Sequence, residues 1–140
     1  RKILENMIEK NELRNNVKIL GELNYNEIPK FLKGLNIYIQ PSISEGSPIT
    51  LKEAMASSLP ILASNAGGIP EIIENNITGF LFKKGDINDL EKSLFNIIKL
   101  GHKKREEIGS AARMKAQKMF DIKKASNEYI SMYNIIFKKK

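Results

Sequence analysis

Glu45-Gly46-Ser47-Pro48-Ile49-Thr50-Leu51-Lys52-Glu53-Ala54-Met55-Ala56 is the stretch on which the reading of this chain turns. Two carboxylates eight positions apart flank a glycine turn and the start of a helix. Proline at the first helical position lacks only an N–H that would be unpaired there, and Ser47 before it is a favourable N-cap. A helix is therefore predicted from Pro48 to about Ser57. Its free N–H groups and positive dipole end form a ready anion site. Glu53 would lie about 7–8 Å further along the axis, at roughly 1.5 Å per residue. That layout suits a diphosphate at the helix end with a hydroxyl-bearing ring at each acid.

Outward from this stretch, helices alternate with short apolar runs. A helix over about Arg1–Glu12, with Ile3, Leu4, Met7 and Ile8 at helical spacing, leads to a predicted strand Val17-Lys18-Ile19-Leu20 that ends at Gly21. Asn24 or Asn26 is placed to cap the next helix, which carries Ile28, Phe31 and Leu32. Leu35–Gln40 reads as a strand stopped by Pro41, Pro60–Ser64 as a short buried strand, and Gly79–Phe82 as a fourth. Between the last two, Ala66-Gly67-Gly68 opens a brief helix with Pro70 near its start and Glu71 in its first turn. Asp86 is an N-cap candidate for a helix with Ile87, Leu90, Leu94, Ile97 and Ile98 on one face, closed by Gly101. Helices over about 103–119 and 122–137 complete the chain. Tyr129, Ile130, Tyr133, Ile136 and Phe137 form an apolar stripe on the last, expected as a packing face.

This order predicts an α/β fold: a Rossmann-like parallel sheet with flanking helices and right-handed crossovers. Ligands of such sheets bind outside the carboxyl ends of the strands, near helix N-termini. The Glu45–Glu53 loop and the Gly67-Gly68 loop each follow a strand, so both belong on that edge. Gly67-Gly68 either turns a corner or lets backbone approach a phosphate.

Composition narrows the function. With 140 residues and 41% hydrophobic content the chain is one domain with a real core. No apolar run approaches the roughly 20 residues of a membrane span, so a soluble chain is expected. Without cysteine there is neither a disulfide framework nor a thiolate metal site. The single histidine, His102, stands beside a helix break and is expected on the surface, which argues against histidine-based catalysis. The formal charge of +7 is spread along the helices and is densest at Lys103-Lys104-Arg105 and Lys138-Lys139-Lys140. No aromatic interleaving or groove-reading motif accompanies it, so nucleic acid is not an expected partner. The opening on Arg1, already inside a helical pattern, leads to the expectation of an excised fragment.

Glu45-x7-Glu53 within EGSPITLKEAMASSLPILASNAGGIPEII resembles the signature of retaining GT-B glycosyltransferases, the group 1 family. Val17–Gly21 resembles the strand before that family's donor site, and Asn76–Leu81 its later strand. The resemblance covers essentially the whole chain. It implies the C-terminal, nucleotide-sugar-binding domain of a GT-B fold, incomplete at its N-terminus. On it, Glu45 is the catalytic acid that contacts the donor sugar's hydroxyls and supports an oxocarbenium-like transition state. Backbone N–H groups near Ile49 and Thr50 hold the diphosphate, and Glu53 takes the ribose hydroxyls. Main chain around Leu20-Gly21 borders the base, and Gly46, Ser47, Gly67 and Gly68 complete the donor-binding set. The family's usual Phe-Gly after the first Glu-Gly is Ser47-Pro48 here, and Pro48 has no N–H to offer a phosphate.

The resemblance implies that the intact enzyme transfers a hexose from a nucleotide diphosphate sugar with retained configuration. The leaving group is stabilised electrostatically, with no metal or other cofactor. The family's glycine-rich loop, its Arg/Lys pair and its acceptor domain do not precede Arg1, so this portion alone is expected to be inactive. Its acceptor, a glycan or lipid-linked sugar, would bind through the missing N-terminal domain. A cytoplasmic setting is expected, with the basic surface suited to peripheral contact at the inner face of an anionic membrane. Two rival readings share the motif: a non-catalytic nucleotide- or sugar-phosphate-binding module acting with a partner chain, and a GT-B epimerase or phosphorylase.

Overall fold

Three short parallel strands form the centre of the computed structural model, which describes residues 1–137. Lys138, Lys139 and Lys140, part of the basic run noted above, lie outside the described residues. Strands β1 (Tyr38–Gln40), β2 (Ile61–Ser64) and β3 (Phe80–Phe82) lie in that order, with Tyr38 opposite Ile61 and Leu62 opposite Phe80. Around them are α1 (Lys2–Lys10), a 3-10 turn (Tyr25–Glu27), α2 (Ile28–Lys33), α3 (Ile49–Ala56), α4 (Ile69–Ile72), α5 (Ile87–Lys99), α6 (Gly101–Met119) and α7 (Ile122–Phe137).

Strand side chains alternate between the two faces of a sheet, so β2 builds a core on each. Ile61 and Ala63 join Leu51 and Met55 of α3 and Ala112 and Ala116 of α6 on one side. Leu62 joins Phe82 and Ile97 of α5 on the other. All four residues of β2 are buried, apolar at Ile61, Leu62 and Ala63, with the Ser64 hydroxyl satisfied by the Ser42 carbonyl oxygen. The result is the expected α/β Rossmann-like arrangement, a parallel sheet between helical layers.

Local chemistry accounts for two of the helix N-termini. Asp86 caps α5 by accepting the Asp89 N–H at 3.0 Å. Of the two asparagines offered as cap of α2, neither serves it, because a 3-10 turn intervenes and Glu27 is the N-cap of α2. Asn24 instead caps that turn, with Glu27 accepting from the Asn24 backbone and side-chain nitrogens at 3.2 and 3.0 Å. Helix α6 begins at Gly101, two residues earlier than predicted. It approaches the turn at Ser58 so closely that a Cβ on Gly109 would stand 2.1 Å from the Ser58 carbonyl oxygen. No helix among the described residues is long and apolar enough to cross a membrane.

Two expectations are corrected. Val17–Leu20 is not a strand: it makes no ladder with any neighbour among the described residues, and Val17 and Leu20 are exposed. An apolar run becomes a strand only where another backbone satisfies its N–H and C=O groups, and among the described residues β1 pairs with β2 alone. The stripe on α7 is not a packing face within the chain, because α7 buries none of its residues. Tyr129, Ile130, Tyr133, Ile136 and Phe137 are all exposed.

Candidate functional site

The site begins where β1 stops. Pro41 cannot donate to a ladder, so the chain leaves the sheet after Gln40 and loops back to α3. Within that loop the half-buried Glu45 carboxylate is held at one oxygen. Its Oε1 accepts from the Gln40 side-chain nitrogen at 3.0 Å and from Ser42 Oγ at 2.8 Å, while Gln40 Nε2 also donates to Ser42 Oγ at 2.9 Å. Oε2 makes no hydrogen bond among the described residues. Behind this triangle, Tyr38 OH donates to Gln40 Oε1 at 2.5 Å and Thr50 Oγ1 to the same oxygen at 3.3 Å.

Tyr38 reports the field of the site. Burial raises its phenol above the ordinary tyrosine range, and the negative charges of Glu45 and Glu53 add to that, against a lowering hydrogen bond from Thr50. Both acids singled out in the sequence therefore act on one hydroxyl, that of Tyr38 at the start of β1.

The loop after β2 fixes the same segment from the other side. Gly68 N–H donates to the Glu45 carbonyl oxygen at 3.0 Å, and Ser64 Oγ to the Ser42 carbonyl oxygen at 2.6 Å. A Cβ on Gly67 would stand 1.8 Å from the Glu45 carbonyl oxygen, and one on Gly68 would stand 2.0 Å from that of Gly46. Gly67 also has φ +52°, which favours glycine. The two loops thus share one edge of the sheet, as expected, and the glycines let backbone lie against backbone.

Helix α3 starts one residue later than predicted. Pro48 is the N-cap, at φ −63° and ψ 122°, and no side chain among the described residues caps the helix. Ser47 is consequently not the cap: the extended ψ of Pro48 puts Ser47 outside the helix, and it is exposed like Gly46. Ile49 and Thr50 become the first two helical residues. Their N–H groups have no intrahelical acceptor and no other among the described residues.

Glu53 lies along α3, half-buried, in a groove of about 440 Å³ that it lines with Tyr25, Asn26, Pro29, Lys33 and Arg113. Gly21 is not joined to this constellation: it is exposed at φ +79° and makes no hydrogen bond to the Glu45 loop among the described residues. Lys52 stands over the Phe120 ring, 4.9 Å from its centroid. His102 is on the surface, as expected, 3.2 Å from Glu106. Sequence reasoning missed Tyr38, Gln40 and Ser42. The available signal was a polar residue at the carboxyl end of an otherwise apolar strand.

Comparison with known proteins places the chain in a family. The family model for glycosyl transferases group 1 matches residues 1–115. An amylovoran biosynthesis glycosyltransferase of Erwinia amylovora is 34% identical over 124 residues, covering 84% of this chain and 30% of the relative. A sulfoquinovosyl transferase of Arabidopsis thaliana is 38% identical over 101 residues, 70% of this chain and 20% of the relative. The Anabaena protein HepE, solved with UDP, superposes with a TM-score of 0.88 at 27% identity, over 95% of this chain and 36% of that one. A sucrose-phosphate synthase from Thermosynechococcus elongatus shares the fold with a TM-score of 0.91 at 22% identity, over 99% of this chain and 35% of that one. This chain thus spans about a third or less of each of these proteins. With its parallel sheet, its two joined loops and a match over most of its length, the chain belongs to the glycosyl transferases group 1 family and has the α/β architecture of GT-B glycosyltransferases.

Proposed function

We propose that this chain is the donor-binding part of a retaining glycosyltransferase that transfers a hexose from a nucleotide diphosphate sugar. One observation carries the reading. A carboxylate with one oxygen engaged and the other unengaged, Glu45, stands just before a helix whose first N–H groups, at Ile49 and Thr50, are uncapped. In this reading Oε2 of Glu45 accepts from the donor sugar's hydroxyls and supports positive charge as the glycosidic carbon loses its leaving group. The diphosphate departs against the Ile49 and Thr50 N–H groups, where developing negative charge meets preorganised donors. Glu53 takes the ribose hydroxyls, and the backbone at Leu20-Gly21 borders the base. A glycosidic bond to the acceptor replaces the bond to phosphate, and the nucleoside diphosphate is released. No metal is called for, since no two aspartates stand in D-x-D spacing. The relative solved with UDP supports a nucleotide donor. Acceptor binding falls to protein outside this chain.

The test is donor turnover by the full-length protein, with product identified as glycoside, free epimer or sugar phosphate. Glu45→Ala is expected to lower kcat by about 10²–10³, the scale of losing a transition-state contact. Glu53→Ala is expected to act mainly on donor KM. Unchanged transfer in Glu45→Ala would sink the reading, and epimer or sugar phosphate as sole product would replace it.

A further inference from the structure

Gln40 uses its full hydrogen-bonding capacity, and every bond bears on Glu45. A primary amide has two N–H donors and two acceptor lone pairs. Here the donors reach Glu45 Oε1 at 3.0 Å and Ser42 Oγ at 2.9 Å, while the carbonyl oxygen receives Tyr38 OH at 2.5 Å and Thr50 Oγ1 at 3.3 Å. The chemistry dictates this orientation. A carboxylate only accepts, so the amide must turn its nitrogen to Glu45. The phenol and the hydroxyl then lock it there by donating to the other end. Tyr38 and Gln40 are two residues apart on one strand, so the sheet itself puts them on the same side. Burial favours the neutral, donating form of the phenol, as this network requires.

We propose that Gln40 is a positioning residue: held by Tyr38, its amide clamps Oε1 of Glu45 and leaves Oε2 as the oxygen presented to the donor sugar. This rests on Glu45 being the acid that meets the sugar. The clamp works by subtraction. With Oε1 tied by two donors, the carboxylate cannot rotate to exchange its oxygens without breaking both bonds. Thr50 extends the link to the helix end, since it carries one of the uncapped N–H groups and also donates to Gln40.

The test is steady-state transfer by the full-length enzyme carrying Gln40→Met, Gln40→Glu, Tyr38→Phe or Glu45→Gln, with thermal melts of each. Gln40→Met keeps the bulk and loses the donors. It is expected to lower kcat about 10- to 100-fold, the scale of a misplaced catalytic group, with donor KM nearly unchanged. Gln40→Glu is expected to lose more at neutral pH and to regain activity as pH falls, because two facing carboxyls coexist most easily when one holds a proton. Tyr38→Phe, one link further away, is expected to show a smaller loss of kcat.

Gln40→Met with kcat within about twofold of wild type, well short of the loss expected for misplacement, beside an inactive Glu45→Gln would overturn the proposal and leave the function standing. So would a kcat loss that tracks melting temperature, with the Gln40→Glu pH profile unmoved, since Gln40 would then serve stability alone. Unimpaired transfer by Glu45→Gln would remove the functional reading and this proposal with it.

Discussion

The amide nitrogen of Gly68 lies 3.0 Å from the carbonyl oxygen of Glu45, so the loop after β2 grips the backbone of the loop after β1 at the very residue whose carboxylate the site presents. The grip needs two residues without side chains.

Gly67→Ala and Gly68→Ala should therefore displace the Glu45 loop. Each new methyl would meet a backbone carbonyl oxygen, at 1.8 Å from Glu45 and 2.0 Å from Gly46, and neither oxygen can swing aside as a side chain can. Gly67→Ala adds the strain of a left-handed φ. A loss of about 2 kcal/mol or more is expected in urea unfolding, with Gly67→Ala the worse. Binding of UDP and GDP, followed by ligand-observed NMR, should weaken in both. Unchanged stability in Gly67→Ala would show that the loops are not so tightly joined.

Tyr38 gives a prediction in pH. Its folded-state proton affinity is raised, chiefly by burial and then by Glu45 and Glu53. The folded state thus holds the phenolic proton where the unfolded chain has begun to release it. Tyr38's contribution is full below the unfolded value of about 10 and is lost as pH rises beyond it toward the folded value. Chemical denaturation between pH 9 and 11 (about one unit either side of the ordinary tyrosine value) should show wild type losing more stability than Tyr38→Phe. Parallel curves for the two proteins would contradict this.

Gly109 tests the packing of α6 in isolation from the site. Alanine is the better helix former by about 1 kcal/mol, so on propensity alone Gly109→Ala should stabilise. A methyl there would stand 2.1 Å from the Ser58 carbonyl oxygen and force α6 away from the turn. A net loss of about 1–3 kcal/mol is expected in urea unfolding. A gain would mean that the helix moves aside freely.

Much of this was legible in the residues. Pro60–Ser64 read as a short buried strand from its apolar run Ile61-Leu62-Ala63, and the structure buries all four residues from Ile61 to Ser64. Asp86 was legible as a cap because its side chain reaches a local N–H three residues on. The unread parts depend on distant partners. Val17–Leu20 has a composition as strand-like as β1, yet pairing requires a neighbour that the run itself does not specify. The pattern at Ser47-Pro48 reads as a Ser47 cap with Pro48 as first helical residue, and only the extended ψ of Pro48 shows that the helix starts one residue later. Gly109 looks like a helix-weakening glycine until Ser58, far away in sequence, is brought beside it. Gln40 carries no motif at all, and its importance comes from the Tyr38, Ser42, Glu45 and Thr50 atoms around it.

The strand order has a bearing on how the chain reaches this state. Both ladders run through β2, and β1 and β3 never touch. Segments 41–60 and 65–79 separate the strands, so every ladder bond closes a long loop before it returns any stabilisation. No paired sheet can form without Ile61–Ser64, whichever neighbour arrives first. The kinetics of folding therefore converge on these four residues. A fault in β2 delays the assembly of both cores, and with them the edge on which Glu45 and Gly68 meet.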